Sequence, residues 1–356
     1  MTQTYIVYIG MLVLGAIFAY RFEMTKHFMW LVAVILLLSF FAGFRGERVG
    51  CDTITYYYRI DQIISGQGYL VYGFEESFKK IVEFLGSIIK NSSFVFVVLS
   101  LLIYGLFFIR LKDFSNLISF EWTFFSFYCT FFFSSLNAFR QFVAVSIVFF
   151  ATRYVAKKKY VFFVALILCA FCFHTSGLIG FAYLLLHFSF LKYDTLGKKI
   201  LAICCVLSFI ASYSLFFSYM SKYAYLFGTL NGKGVGGLLI AKIILFIVSY
   251  YFCFYSKADY RSDMEKLDLK VASLAYLFGM LMTSMGYFYL FTERIGVYFY
   301  LFETVYIGMI MKNRSININT MIFGLSYMAI SLFSFIMSLN HDEQCQIPYF
   351  FVWEYY

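Results

Sequence analysis

Charge, proline and metal-binding clusters are what this chain has least of. Charged residues make up 13% of its 356 positions and hydrophobic ones 62%, against about a quarter charged in soluble domains, so a water-soluble globular fold is excluded. The one proline, Pro348, leaves no room for proline-rich linkers. Four histidines (His27, His174, His187, His341) are scattered, no CxxC pair falls in a loop, and the acidic residues form no DxD. No metal site and no cofactor motif emerges, so any enzyme here is expected to be metal-independent. The formal charge of +9 is spread over short loops with no dense run, which argues against nucleic acid.

What is present is apolar. Runs long enough to cross about 30 Å of hydrocarbon recur between basic clusters, the pattern of an all-α polytopic membrane protein. The run from Tyr5 to Tyr20 has no positive segment before it and no small-residue cleavage site after it, so it reads as a first span rather than a removable signal. Hydropathy predicts about twelve spans, at 4–20, 28–44, 93–109, 119–135, 138–155, 160–173, 176–190, 200–218, 237–256, 271–288, 295–311 and 317–338. With the first running outside to inside, seventeen basic residues fall in inner segments and ten outside, which by the positive-inside rule leaves both termini outside. One transmembrane domain covers 1–356, with an outer loop at about 45–92. Within that loop FEESFKKIVEFLGSIIK spaces its apolar residues as an amphipathic surface helix.

Cys129, Cys169, Cys172, Cys204, Cys205 and Cys253 lie in apolar runs and read as small packing residues. Cys51 and Cys345 fall in loops on the same predicted side, and a disulfide between them is left open.

Four polar groups interrupt the apolar pattern: FRGERVGCDT with Arg45, Arg48 and Asp52; LNAFRQ with Asn137, Arg140 and Gln141; FCFHTSG with His174 and Ser176; and FTERIGVYF with Glu293 and Arg294. All sit at predicted outer ends of spans, where charge is costly unless it pairs, reaches the interface or serves a purpose. Several arginines facing one cavity suit a diphosphate, because each planar fork pairs with phosphate oxygens and stays protonated. The structural alternative for each is simple: Arg45 and Arg48 flanking a span at headgroup level, Glu293 pairing with Arg294, His174 packed or capping. His174 and Asp52 are the candidate bases, and Asp52 equally suits holding an arginine in place. Tyr56, Tyr57 and Tyr58 read as interfacial anchors, with stacking on sugars as the alternative.

These groups, in this order, resemble the EpsG-like family of bacterial Wzy-type polysaccharide polymerases. The resemblance runs through FRGERVGCDTITYY, LNAFRQFVAVSIVFFATRYVAKKKYVFFVALILCAFCFHTSGLIGF, ERIGVYF and IPYF, covering nearly the whole chain. It implies a GT-C-like glycosyltransferase bundle in the bacterial cytoplasmic membrane with its active site facing outward. The implied reaction transfers a glycan from undecaprenyl diphosphate onto another lipid-linked repeat unit, with inversion. Carried over by position, Arg45, Asp52, Arg140, Gln141, His174 and Arg294 match the family's motif positions, with Arg48 and Glu293 less securely placed. The expected partners are lipid-linked oligosaccharides as donor and acceptor, and the bilayer; a chain-length regulator is left open. Two other classes stay open from sequence: a transporter or flippase of a lipid-linked or anionic solute, and another outer-face transferase such as an O-antigen ligase.

Overall fold

The computed structural model describes residues 2–192, 244, 263–285, 290–312, 318–342 and 345–355. Predicted spans at 200–218 and 237–256 lie outside the described residues, apart from Ile244. What is described is built from helices, as lipid demands of a backbone that must satisfy its own hydrogen bonds. The membrane character is plain on the surface, where α1 (Thr2–Thr25), α8 (Tyr160–Phe173) and α13 (Ile318–Asn340) leave Ile9, Val13, Ile17, Val161, Phe162, Ile322 and Phe333 exposed. Among the described residues, five helical stretches have the length and composition to cross a membrane: Gln3–Thr25, Ser92–Asp113, Phe139–Ala156, Thr292–Lys312 and Met321–Asn340.

The centre of the bundle is aromatic. Helices α5 (Ser92–Asp113), α6 (Phe120–Asn137) and α7 (Phe139–Ala156) bury Phe107, Phe127 and Phe149 against one another, with ring centroids 4.4 and 5.0 Å apart. Around them pack α1, α2 (Phe28–Gly43), α12 (Glu303–Lys312) and α13, while α10 (Asp263–Met285) pairs with α11 (Leu290–Tyr300). Dispersion and interlocking shape hold such a core, because hydrocarbon gives apolar side chains little reason to leave it.

Two ends of the bundle carry its charge. The 22 residues of α5 rise about 33 Å, one bilayer, from Asn91, which caps the helix by accepting from the Ser93 amide at 2.7 Å, to Arg110. At that far end the fully buried Arg110 donates to both Asp268 oxygens at 2.9 and 2.8 Å, to Thr152 Oγ1 at 3.0 Å and to Asp113 at 3.3 Å. Arg153 also reaches Asp113 at 3.1 Å. An arginine that counts only as inner-loop charge in the sequence thus ties α5, α7 and α10 together.

At the other end the loop 45–92 is more structured than one surface helix. The expected amphipathic helix is α4 (Glu76–Ile88), and a second, α3 (Thr53–Ile64), precedes it and packs against it. Its buried stripe is Thr53, Tyr57, Ile60 and Ile63. Tyr57 is therefore not an interfacial anchor: its ring stacks on Phe96 at 4.3 Å and its hydroxyl donates to the Arg45 carbonyl at 3.1 Å. The C-terminal segment runs back over this loop as a strap. The Gly46 amide donates to Phe350 O at 2.8 Å, Val352 to Phe44 O at 2.9 Å and Gly50 to Cys345 O at 2.6 Å. Gly50 holds φ +105°, which an L side chain rarely adopts. Cys51 and Cys345 are disulfide-bonded across 294 residues.

Two predicted spans are broken. The span at 295–311 divides into α11 and α12 at Leu301–Phe302, where the Thr304 hydroxyl bonds the Leu301 carbonyl at 2.8 Å. The span at 176–190 opens as a 3₁₀ turn, Thr175–Phe181, before continuing as α9 (Ala182–Lys192).

Candidate active site

Two chain reversals and the start of α11 bring the polar motifs together at the strap end. Between α6 and α7 the chain breaks only at Ala138, whose φ −78° and ψ 47° are non-helical, so Arg140 and Gln141 fall in the first turn of α7. Amides of a first helical turn lack intrahelical acceptors and sit at the positive end of the dipole. Between α8 and the 3₁₀ turn, His174 is extended at φ −156° and accepts from the Ser176 amide at 3.2 Å through Nδ1. The reversal is tight enough that a Cβ at Gly177 would lie 2.7 Å from the Ala170 carbonyl carbon. Helix α11 carries Arg294 and is fastened to α7 where Gln141 Nε2 donates to the Arg294 carbonyl at 2.6 Å.

The result is a cleft of about 360 Å³ into which Asp52, Arg140, Gln141, His174 and Arg294 all face. Its fourth wall is α3 with the N-cap residue Asp52 before it, and Asp52, Thr55, Tyr56 and Arg59 recur at helical spacing on one stripe. Arg59 was not singled out in the sequence, although its place seven residues after Asp52, on a helix whose other stripe is apolar, is the signal that would have found it. Three guanidinium groups therefore line one small space.

Arg140 is the most constrained of them. It is nearly buried, ion-paired to Glu75 and bonded to the Gly73 carbonyl at 3.3 Å, and its guanidinium carbon stands 4.2 Å from the centre of the Phe74 ring. Phe74 also carries Arg59 at 5.2 Å and stacks on Tyr56 at 5.6 Å. Glu75, absent from the sequence reading, is held in turn by the Thr175 amide at 3.2 Å, so one carboxylate positions both the arginine and the His174 turn. The hydroxyls of Ser176 and Tyr298 lie 2.7 Å apart, and Ser176 Oγ is 2.6 Å from His174 Nδ1. An amide can only donate, so Nδ1 is the accepting nitrogen and the neutral ring carries its proton on Nε2.

Four sequence candidates stand elsewhere. Arg45 does not reach the cleft and is corrected to a structural brace. It is fully buried, with Nη2 donating to Leu136 O at 2.9 Å, Nε to Thr53 Oγ1 at 3.3 Å and Nη1 to Ala42 O, between the rings of Phe96 and Phe139 at 4.8 and 4.9 Å. With all three nitrogens engaged it has no fork to offer a phosphate. Arg48 and Glu293 are exposed and outside the cleft lining. Asn137 is half-buried beside Gly50, behind the cleft rather than in it.

The broken helices of this membrane protein thus gather arginines, a carboxylate and aromatic rings into one cleft at one end of the bundle. The chain belongs to the EpsG family, a Wzy-like polysaccharide polymerase family, whose model matches residues 28–351, nearly the whole length. No curated protein and no solved structure matches it.

Proposed function

We propose that this protein is a Wzy-type polysaccharide polymerase, which transfers an undecaprenyl-diphosphate-linked glycan onto a second lipid-linked repeat unit at the outer leaflet of the bacterial cytoplasmic membrane. In this reading the bundle has about twelve spans in a GT-C-like arrangement, and no metal neutralises the leaving group. The observation that carries it is the meeting of Arg59, Arg140 and Arg294 with Asp52 in one cleft.

The donor diphosphate sits among the three arginines and against the first turn of α7, where forks and amide dipoles meet phosphate oxygens. The acceptor sugar hydroxyl attacks the anomeric carbon; the bond from that carbon to the phosphate oxygen breaks, and its electron pair leaves on the diphosphate with inversion. Guanidinium groups fixed before reaction stabilise the charge that develops there. Asp52, exposed and with no side-chain capping bond, takes the hydroxyl proton. His174, whose Nδ1 is committed to Ser176, contributes an Nε2–H donor rather than a base, which divides the work between the two candidate bases. Tyr56, half-buried in the cleft lining, offers its ring to the sugar nearest the bond.

The test is incubation of purified protein, with chelator present, with its host's undecaprenyl-diphosphate repeat unit. A ladder of longer glycans with release of the lipid diphosphate is expected. Unaltered substrate that crosses the bilayer of reconstituted vesicles overturns the reading in favour of a transporter.

A further inference from the structure

A second and larger cavity, of about 720 Å³, opens on the other side of α3. Its chemistry differs from the cleft's. Among the described residues, Glu47 and Asp61 face it with Lys90 as the one cation, beside Asn91, Tyr57 and Trp353. Asn91 spends its carbonyl oxygen on the Ser93 amide, leaving its NH₂ as a donor pair. Trp353 is 50% exposed although its indole lies flat on Phe351 at 4.5 Å. Burial pushes the Asp61 carboxyl up and the charge of Glu47 adds to that, against a hydrogen bond from Ser92. A lining with two acids and one base repels diphosphates and uronic acids. Carboxylates that accept from hydroxyls, amides that donate, and flat apolar rings that pack against sugar C–H faces are instead what a pyranose chain requires.

The cavity and the reaction cleft flank α3, with Tyr56 and Arg59 lining the cleft and Tyr57 and Asp61 lining the cavity. Its far wall is the C-terminal strap, held by the Gly46 to Phe350 and Val352 to Phe44 bonds and by the Cys51–Cys345 disulfide. Such a wall is built, and its volume lies within the range of small-molecule sites.

We propose that this cavity is a glycan subsite that holds an uncharged or amino-bearing stretch of sugar chain beside the reaction cleft. It rests on the polymerase reading only in taking a glycan as cargo. The occupant is saccharide and not lipid headgroup, because the charge balance here opposes phosphate.

The experiment uses the full-length protein in detergent with Trp30→Phe and Trp122→Phe, which leaves Trp353 as the sole indole. Four soluble probes are titrated against its fluorescence: maltotetraose, chitotetraose, the de-N-acetylated tetraose and tetragalacturonate. A saturable response to at least one neutral or amino probe is expected, exceeding that to tetragalacturonate and weakened at least fivefold by Asp61→Asn, which preserves shape and removes charge. No saturable response to any neutral or amino probe, a strongest response to tetragalacturonate, or unchanged affinity in Asp61→Asn overturns the proposal. The titration needs no lipid-linked donor, so the two readings fail separately: binding without a ladder removes the polymerase alone, and a ladder without binding removes the subsite alone.

Discussion

Arg140 is where stability and chemistry are most entangled, and one double substitution separates them. Its ion pair with Glu75 leaves the two side chains 11% and 14% exposed. Arg140→Ala strands a carboxylate whose other bond is to the Thr175 amide at 3.2 Å. Removing one partner of a buried pair costs about 3–5 kcal/mol, and the amide that remains puts this case near the lower figure. Loss of a preorganised charge from the reacting centre costs on the order of 10²–10³-fold in rate. A single substitution loses both and distinguishes neither. Arg140→Ala with Glu75→Ala removes the stranded charge and, if most of the penalty is the orphaned carboxylate, recovers roughly 1–3 kcal/mol of stability as coupling between neighbours. Thermal unfolding in detergent should therefore move back toward the parent while the glycan ladder stays absent. A double variant that is stable and makes chains of near-normal length refutes a role for Arg140 beyond pairing with Glu75.

Other outcomes follow from the same geometry. Arg59→Ala, on a half-buried side chain that packs over Phe74, should leave thermal stability within about 1 kcal/mol of the parent and cut the rate of ladder formation at least tenfold; an unchanged rate removes Arg59 from the site. Arg45→Lys cannot reproduce a three-nitrogen brace, so lost expression and a stability deficit of about 1–3 kcal/mol from buried acceptors left unmet are expected, whereas a stable but inactive protein would return Arg45 to the reaction. Cys51→Ser opens a loop of 294 residues, for which chain entropy sets an upper bound of roughly 5–6 kcal/mol. In that variant Cys345 should become reactive to a membrane-impermeant maleimide, while the parent reacts there only after reduction; labelling of Cys345 in the unreduced parent contradicts the pairing.

The polar motifs were legible because hydrocarbon makes every unneeded charge conspicuous, and Asp52, Arg140, Gln141, His174 and Arg294 could be picked out by that alone. Glu75 was not: it sits in a loop rich in lysine and glutamate, where nothing but its partner distinguishes it from Glu76. The strap was hidden for a related reason, since a short IPYF segment pairs with residues some three hundred positions away. Among the cysteines in apolar runs, Cys129, Cys169 and Cys172 are free thiols, and Cys169 is exposed on the apolar outer surface rather than packed; hydropathy marks a span but not which of its faces meets lipid.

Composition and periodicity determined by themselves that this is a helical membrane protein, where most of its helices run and which end of them carries candidate chemistry, because the cost of charge and bare backbone in hydrocarbon is paid locally, residue by residue. Only the tertiary structure decided which arginine braces and which faces the cleft. Arg45 and Arg140 carry the same side chain near the same end of the bundle, and what separates them is where their neighbours put them: Arg45 is enclosed between Phe96 and Phe139 with all three nitrogens bonded, whereas Arg140, held by Glu75 and the Gly73 carbonyl, stands in the lining of the cleft.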